Sequence, residues 1–399
     1  MTQVSGTVHP RFAPVRDELV RLFAAGHEQG ASLAVWQRGE LVVDLWGGVA
    51  DEAGLRPFGA DALVTMFSAT KGMVALCFSM LVDRGLLDDE APVSRWWPAF
   101  EALDKAPITV RMLLEHRSGL IGVDEPITLD MLERDPAAVA GVLERARPRW
   151  FPGAAQGYHA VTYGLYAGEL FRRITAESVG TFFRREVAEP LGAEVFLGLP
   201  EALEPRVAPI RPLTPRQRLT VGLPDILLGG GAELRILRGV LAKGDPFTAF
   251  AQPEELGASH VANFNLPRVH RLELPWGGAL GTARGLARIY AALANGGALD
   301  GVKLLSDKRL SVLKERGSFS ERDRVLQRPM GWTRGFVKEE PGVFGTTRSG
   351  FGHPGAGGAL GWCEPERALA IAYLPTKMAH HVRSPRALTL CRAIAACAG

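Results

Sequence analysis

The chain runs to 399 residues, 47% of them hydrophobic and 22% charged, with a formal net charge of +3. That is the balance of a soluble globular protein with room for two subdomains or one large domain with a deep core. The basic excess is spread thinly and forms no cluster with aromatics, which argues against nucleic acid as a partner, and no apolar run nears the roughly 20 residues of a membrane span.

Residues 1–15 lack the basic start and apolar core of a secretory signal. Cys77, Cys363, Cys391 and Cys397 have no metal-ligand spacing and are expected to be reduced thiols, so the expected location is the cytoplasm. In chain order, Phe12, Val15, Leu19, Leu22 and Phe23 recur at helical spacing and predict an amphipathic helix over 10–27. Ala31–Trp36 and Leu41–Trp46 flank Gln37-Arg38-Gly39-Glu40 and predict a β-hairpin with glycine in the turn. Next comes Ser68-Ala69-Thr70-Lys71, heading an apolar run from Met73 to Leu87 that predicts a buried helix, with Trp96-Trp97-Pro98 marking the passage into a loop.

Helices are predicted at 109–116, 129–146, 160–175, 178–189 and 232–242. The stretch 199–275 is rich in proline and glycine, includes Gly229-Gly230-Gly231, and predicts long loops near a site entrance. A helix over 281–295 stops at Asn295-Gly296-Gly297. Gly331–Val337, Val343–Ser349, Ala359–Cys363 and Ala368–Leu374 predict short strands, and 385–397 predicts a closing helix. The expected architecture is an α/β (α+β) fold in which an antiparallel sheet flanked by helices is built from 1–105 and 271–399. A mostly helical subdomain, 106–270, is inserted, and the cleft between them is the expected site.

If the helix starts near Ser68, the i, i+3 spacing puts Ser68 and Lys71 on one face, a nucleophile beside a base. Burial at the positive end of a helix would lower the lysine pKa from its ordinary value of about 10.4. The amide of Ser68 can serve as an oxyanion donor. A second Ser-x-x-Lys, Ser311 to Lys314, falls on an amphipathic surface helix. Tyr158 sits on a glycine-flanked turn before the helix at 160–175 and can reach into a cleft as a base beside a lysine ammonium. Gly350-Phe351-Gly352-His353-Pro354-Gly355-Ala356 places a basic residue and a close-approaching backbone at a strand, with the Ala356 amide as second oxyanion donor.

Ser68-x-x-Lys71, Tyr158 and His353-Pro354-Gly355, in that order, resemble the serine β-lactamase and penicillin-binding protein superfamily, and within it the family VIII carboxylesterases. Leu113–Leu120, Gly281–Ala287 and Trp46–Asp51 carry the same resemblance. It implies a β-lactamase-like fold with Ser68 acylated, Lys71 and Tyr158 sharing general-base work, and the amides of Ser68 and Ala356 forming the oxyanion hole. His353, Gly355, His159 and Trp276 are candidate substrate-binding residues, and Leu223, Ile226, Leu227, Leu228, Phe247 and Phe250 candidate walls of an acyl pocket. Ala160 stands where relatives carry a side-chain amide and His353 where they carry a lysine, so the expected substrate is a small uncharged ester, with a short acyl group if the pocket is crowded, and with a β-lactam, a D-amino-acid peptide, acyl transfer or a non-catalytic binding role as alternatives. No metal or organic cofactor is implied.

Overall fold

A computed structural model describes residues 3–51, 53–217, 231–379, 381 and 383–399. Its centre is a nine-stranded sheet, antiparallel at every pairing, made of β1 (Val4–Val8), β2 (Gly30–Gln37), β3 (Glu40–Gly48), β4 (Ser318–Ser320), β5 (Met330–Thr333), β6 (Phe336–Val337), β7 (Phe351–Pro354), β8 (Leu360–Glu364) and β9 (Leu369–Pro375). The strand order is β1-β3-β2-β9-β8-β7-β6-β5-β4. The two halves of the sheet, far apart in sequence, meet where β9 lies along β2 from Leu369 opposite Gln37 to Pro375 opposite Ala31.

Strand side chains alternate between faces. Leu33, Val35, Ile371, Tyr373 and Trp362 pack in one apolar cluster with helices α1 (Ala13–Ala24) and α5 (Pro385–Cys397). Ala34, Trp36, Ala370, Ala372 and Leu374 belong to the opposite cluster, with α2 (Thr70–Asp83) and α4 (Ala283–Ala294). Small residues on β9 let α4 lie close to the sheet. Helix α2 is buried from Thr70 to Leu81 and, apart from Thr70, Lys71 and Ser79, apolar all round, as suits a central helix.

The described residues of the stretch 110–271 add no strand to this sheet. Among its described residues α3 (Thr162–Thr175) is the longest helix, and it ends on Ala176 in the left-handed conformation. The predicted helix over 129–146 is two, Leu129–Arg134 and Pro136–Arg145, because Asp135-Pro136 breaks the chain and the Asp135 carboxylate caps the second. The helix predicted at 178–189 runs from Val179 and widens into a π turn over Arg184–Ala188. Of the predicted 199–275 loops, Leu223, Ile226, Leu227, Leu228, Gly229 and Gly230 lie outside the described residues.

Two strand predictions are corrected. Gly331–Val337 is two strands, β5 and β6, because Arg334 (φ 49°) and Gly335 (φ 98°) turn the chain back. Val343–Ser349 is not a strand: the amides of Thr346 and Thr347 bond the Glu364 carboxylate at 2.9 Å instead of a neighbouring backbone. Edge strand β1 went unpredicted. Among the described residues no helix is long and apolar enough to cross a membrane.

Candidate active site

Ser68 lies in a single 3-10 turn, Phe67–Ala69, that leads straight into α2. The approach is strained, since Phe67 holds φ 45°, a region that costs a bulky side chain free energy. Its ring packs against Phe264 with centroids 5.1 Å apart, which helps hold that conformation. A short three-stranded sheet of Val64–Thr65, Leu280–Gly281 and Val195–Phe196 brings the 276–281 segment alongside.

Lys71, one turn on, is fully buried. Its Nζ lies 3.3 Å from Ser68 Oγ and donates to the carbonyls of Ala160 and Trp276, both at 2.7 Å. Burial pushes the lysine pKa well down from its ordinary value.

Tyr158 lines the same cavity as Ser68, and Lys71 Nζ stands 5.0 Å from the centre of its ring. Burial pushes the phenol pKa up, the Ser68 contact pulls part of it back, and the Asp323 charge adds to the rise. Both directions run against a lysine ammonium drawing a proton off the phenol, one of the routes the sequence leaves open. Burial favours the neutral amine at Lys71 and the protonated phenol at Tyr158.

The loop carrying Tyr158 is seated on residues that the sequence marked only as part of a motif. Gly157 N bonds the carbonyl of His116, Gly153 N that of Arg117, and Arg149 N that of Gly119, at 3.1, 2.9 and 2.9 Å. His116 itself adopts φ 59°, accepts from His159 N at 3.0 Å, and packs its ring against Tyr158 and Trp332. Asp323, fully buried, accepts from the amides of Tyr158, Val325 and Leu326 at 3.0, 2.9 and 2.9 Å. Nothing in the charged run Glu321-Arg322-Asp323 signals this role, because its partners are backbone amides.

Strand β7 delivers the third element. Gly355 is pressed so closely on the nucleophile turn that a Cβ there would stand 2.3 Å from the Met66 carbonyl oxygen. Only glycine lets the backbone reach this close, and it carries Ala356 into the cavity beside Ser68. His353 is buried, its Nδ1 donating to the Pro354 carbonyl at 2.7 Å, and its Nε2 has no hydrogen-bond partner among the described residues. Burial, with Lys71 as a lesser cause, pushes its pKa down to about 3, so the ring is neutral.

Of the other predicted residues, Trp276 lines the site and lends its carbonyl to Lys71. His159 is corrected. Its Nε2 is bonded to Ser118 Oγ at 2.8 Å and its Nδ1 to the Gly157 carbonyl at 2.7 Å, so the ring braces the Tyr158 loop and lines neither cavity at Ser68. Phe247 is exposed and lines neither, whereas Phe250 borders both. Ser311, of the second Ser-x-x-Lys, is exposed on the helix Asp307–Lys314.

Comparison with known proteins follows this geometry. The chain is 35% identical over 381 residues to the esterase/beta-lactamase LipL of Mycobacterium tuberculosis (strain ATCC 25618 / H37Rv), covering 94% of this chain and 83% of that one. Its structure matches a family VIII carboxylesterase with a TM-score of 0.86, 34% identity and coverage of 99% and 100% of the two chains. It also matches a penicillin-binding protein homologue from Caulobacter crescentus with a TM-score of 0.84, 33% identity and coverage of 99% and 100%. The beta-lactamase family model matches residues 16–395. With the sequence match spanning nearly its whole length, the chain belongs to the beta-lactamase family.

Proposed function

We propose that this chain is a serine carboxylesterase that cleaves small uncharged esters through an acyl group on Ser68, and we place it in the cytoplasm on the strength of its four unpaired cysteines. The observation that carries the reading is the environment of Lys71. A neutral amine has two N–H donors and one lone pair; with two carbonyls at 2.7 Å taking the donors, the lone pair is left for Ser68 Oγ at 3.3 Å. Lys71 is then the base that accepts the Ser68 proton as Oγ attacks the ester carbon. The tetrahedral oxyanion is held by the amides of Ser68 and Ala356.

When the intermediate collapses, the C–O bond to the alcohol breaks and the leaving alkoxide takes the Tyr158 proton, which the Lys71 ammonium restores. A phenol with a raised pKa suits that donation. Water then follows the same route in reverse to free the acid.

The family's esterase members support this substrate class, and so does the local charge. His353 is neutral, and Arg383, beside the same cavity, is paired to Glu339 with Nε 2.9 Å from Oε1. Neither is free to bind a substrate carboxylate, and Ala160 offers no side-chain amide.

Incubation with a fluorophosphonate should give one adduct, mapped by mass to Ser68 and lost in Ser68→Ala, while p-nitrophenyl butyrate is turned over faster than nitrocefin. An adduct elsewhere would refute the assignment, and faster nitrocefin turnover would favour a β-lactamase.

A further inference from the structure

Among the described residues two cavities meet at Ser68. One, of about 560 Å3, is walled by Val161, Leu256, Val261, Phe264 and Trp276. The other, of about 170 Å3, is walled by Tyr158, Leu326, Met330, Trp332 and His353. Ala356 and Phe250 border both. The larger falls inside the range of about 300–1,000 Å3 that encloses a drug-sized molecule, and the smaller falls below it.

An ester bound at Ser68 extends in two directions, and proton transfer decides which part goes where. The departing oxygen must lie within hydrogen-bond reach of its acid. Tyr158 lines the small cavity and not the large one. Resting on the esterase reading, we infer that the alcohol part of the substrate occupies the small chamber and the acyl chain the large apolar one. The substrates this site fits are therefore medium-chain acyl esters of small alcohols. This departs from a crowded, short-acyl site, the simplest expectation from sequence.

The test uses the purified full-length enzyme in a pH-stat. Ethyl esters from acetate to decanoate vary the acyl part, and acetate esters from methyl to octyl vary the alcohol. Each methylene buried in the large chamber should raise kcat/KM about fourfold until the chamber is full. Lengthening the alcohol beyond butyl should lower it. Val261→Trp, which narrows the large chamber, should cut the octanoate-to-acetate ratio by about tenfold and leave the octyl-to-methyl ratio alone; Met330→Trp should act on the alcohol ratio instead. Ratios within one preparation cancel any loss of folded protein, and if neither variant folds, the two wild-type series decide.

Rates that fall with acyl length and rise with alcohol length, or a Val261→Trp effect confined to the alcohol ratio, would overturn the chamber assignment while leaving the esterase intact. Failure to cleave any ester, with Ser68 unlabelled, would instead overturn the esterase reading beneath it.

Discussion

Lys71 and Tyr158 are pushed in opposite directions by the same burial, the amine toward its neutral form and the phenol toward its protonated one. The acid–base roles follow from that split, and two measurements check them. First, kcat/KM should rise with pH as the Lys71 ammonium loses its proton, with a midpoint well below the ordinary lysine value of about 10.4, and then level off. Tyr158→Phe should keep that limb; its disappearance would make the phenol the base. Second, Tyr158→Phe should lose about 10²- to 10⁴-fold on ethyl esters, whose alkoxide needs a proton, and far less on p-nitrophenyl esters, whose leaving group departs as the anion. Asp323 acts one step back. Asp323→Ala strips the acceptor from three buried amides and should cost on the order of 3 kcal/mol in chemical denaturation, whereas Asp323→Asn keeps an acceptor and should cost much less.

Hairpins show how far the residues speak for the elements. Arg38-Gly39 and Arg334-Gly335 make the same kind of turn, with both residues at positive φ. The first was legible because long alternating strands flank it; the second was not, because β6 has only Phe336 and Val337. The two turns also differ in surroundings. A Cβ on Gly39 would meet nothing within 4 Å, whereas one on Gly335 would stand 2.9 Å from both the Ala75 Cβ and the Tyr163 hydroxyl. Gly39→Ala should therefore cost about 1 kcal/mol, from backbone strain alone, and Gly335→Ala roughly 2–3 kcal/mol, read from thermal or urea unfolding. Equal costs would mean that the second turn yields freely. The same contrast explains the site. Ser68, Lys71, Tyr158, Gly355 and Ala356 announce themselves through reactive side chains and glycine spacing, while His116 and Asp323 bind backbone and leave no such pattern. His159 was misread for the converse reason, since adjacency to Tyr158 in sequence does not fix the direction of a ring.

Across the whole molecule, the start and end of the chain are tied at one buried cluster. Arg386 of α5 pairs with Glu28 at 2.8 Å and donates to the carbonyls of His27, Gly357 and Lys377 at 3.0, 2.6 and 2.7 Å. Gly357 follows Ala356, so the clamp steadies the proposed oxyanion loop as well as the fold. Burial raises the Glu28 pKa to about 7, with Arg386 and a hydrogen bond from Tyr373 opposing the rise. The folded chain therefore holds a proton that the unfolded chain releases above about pH 4.3. Stability from this group should fall as pH rises from about 4.3 to 7, by at most roughly 4 kcal/mol, and stay level above. The difference in melting temperature between the wild type and Glu28→Gln, followed across that window, should change with this sign; a difference independent of pH would show that Glu28 stays ionised.

The seam between β2 and β9 sets a schedule for biosynthesis. At about 5–20 residues per second, the ribosome needs tens of seconds after finishing β2 to make its neighbour in the sheet. For that interval the nascent hairpin presents a bare strand edge with apolar side chains, the kind of template on which chains stick to one another. Nascent chains released before Leu369 should therefore clump, and the full-length protein should emerge in better yield from cells that translate slowly in the cold or hold emerging chains on chaperones.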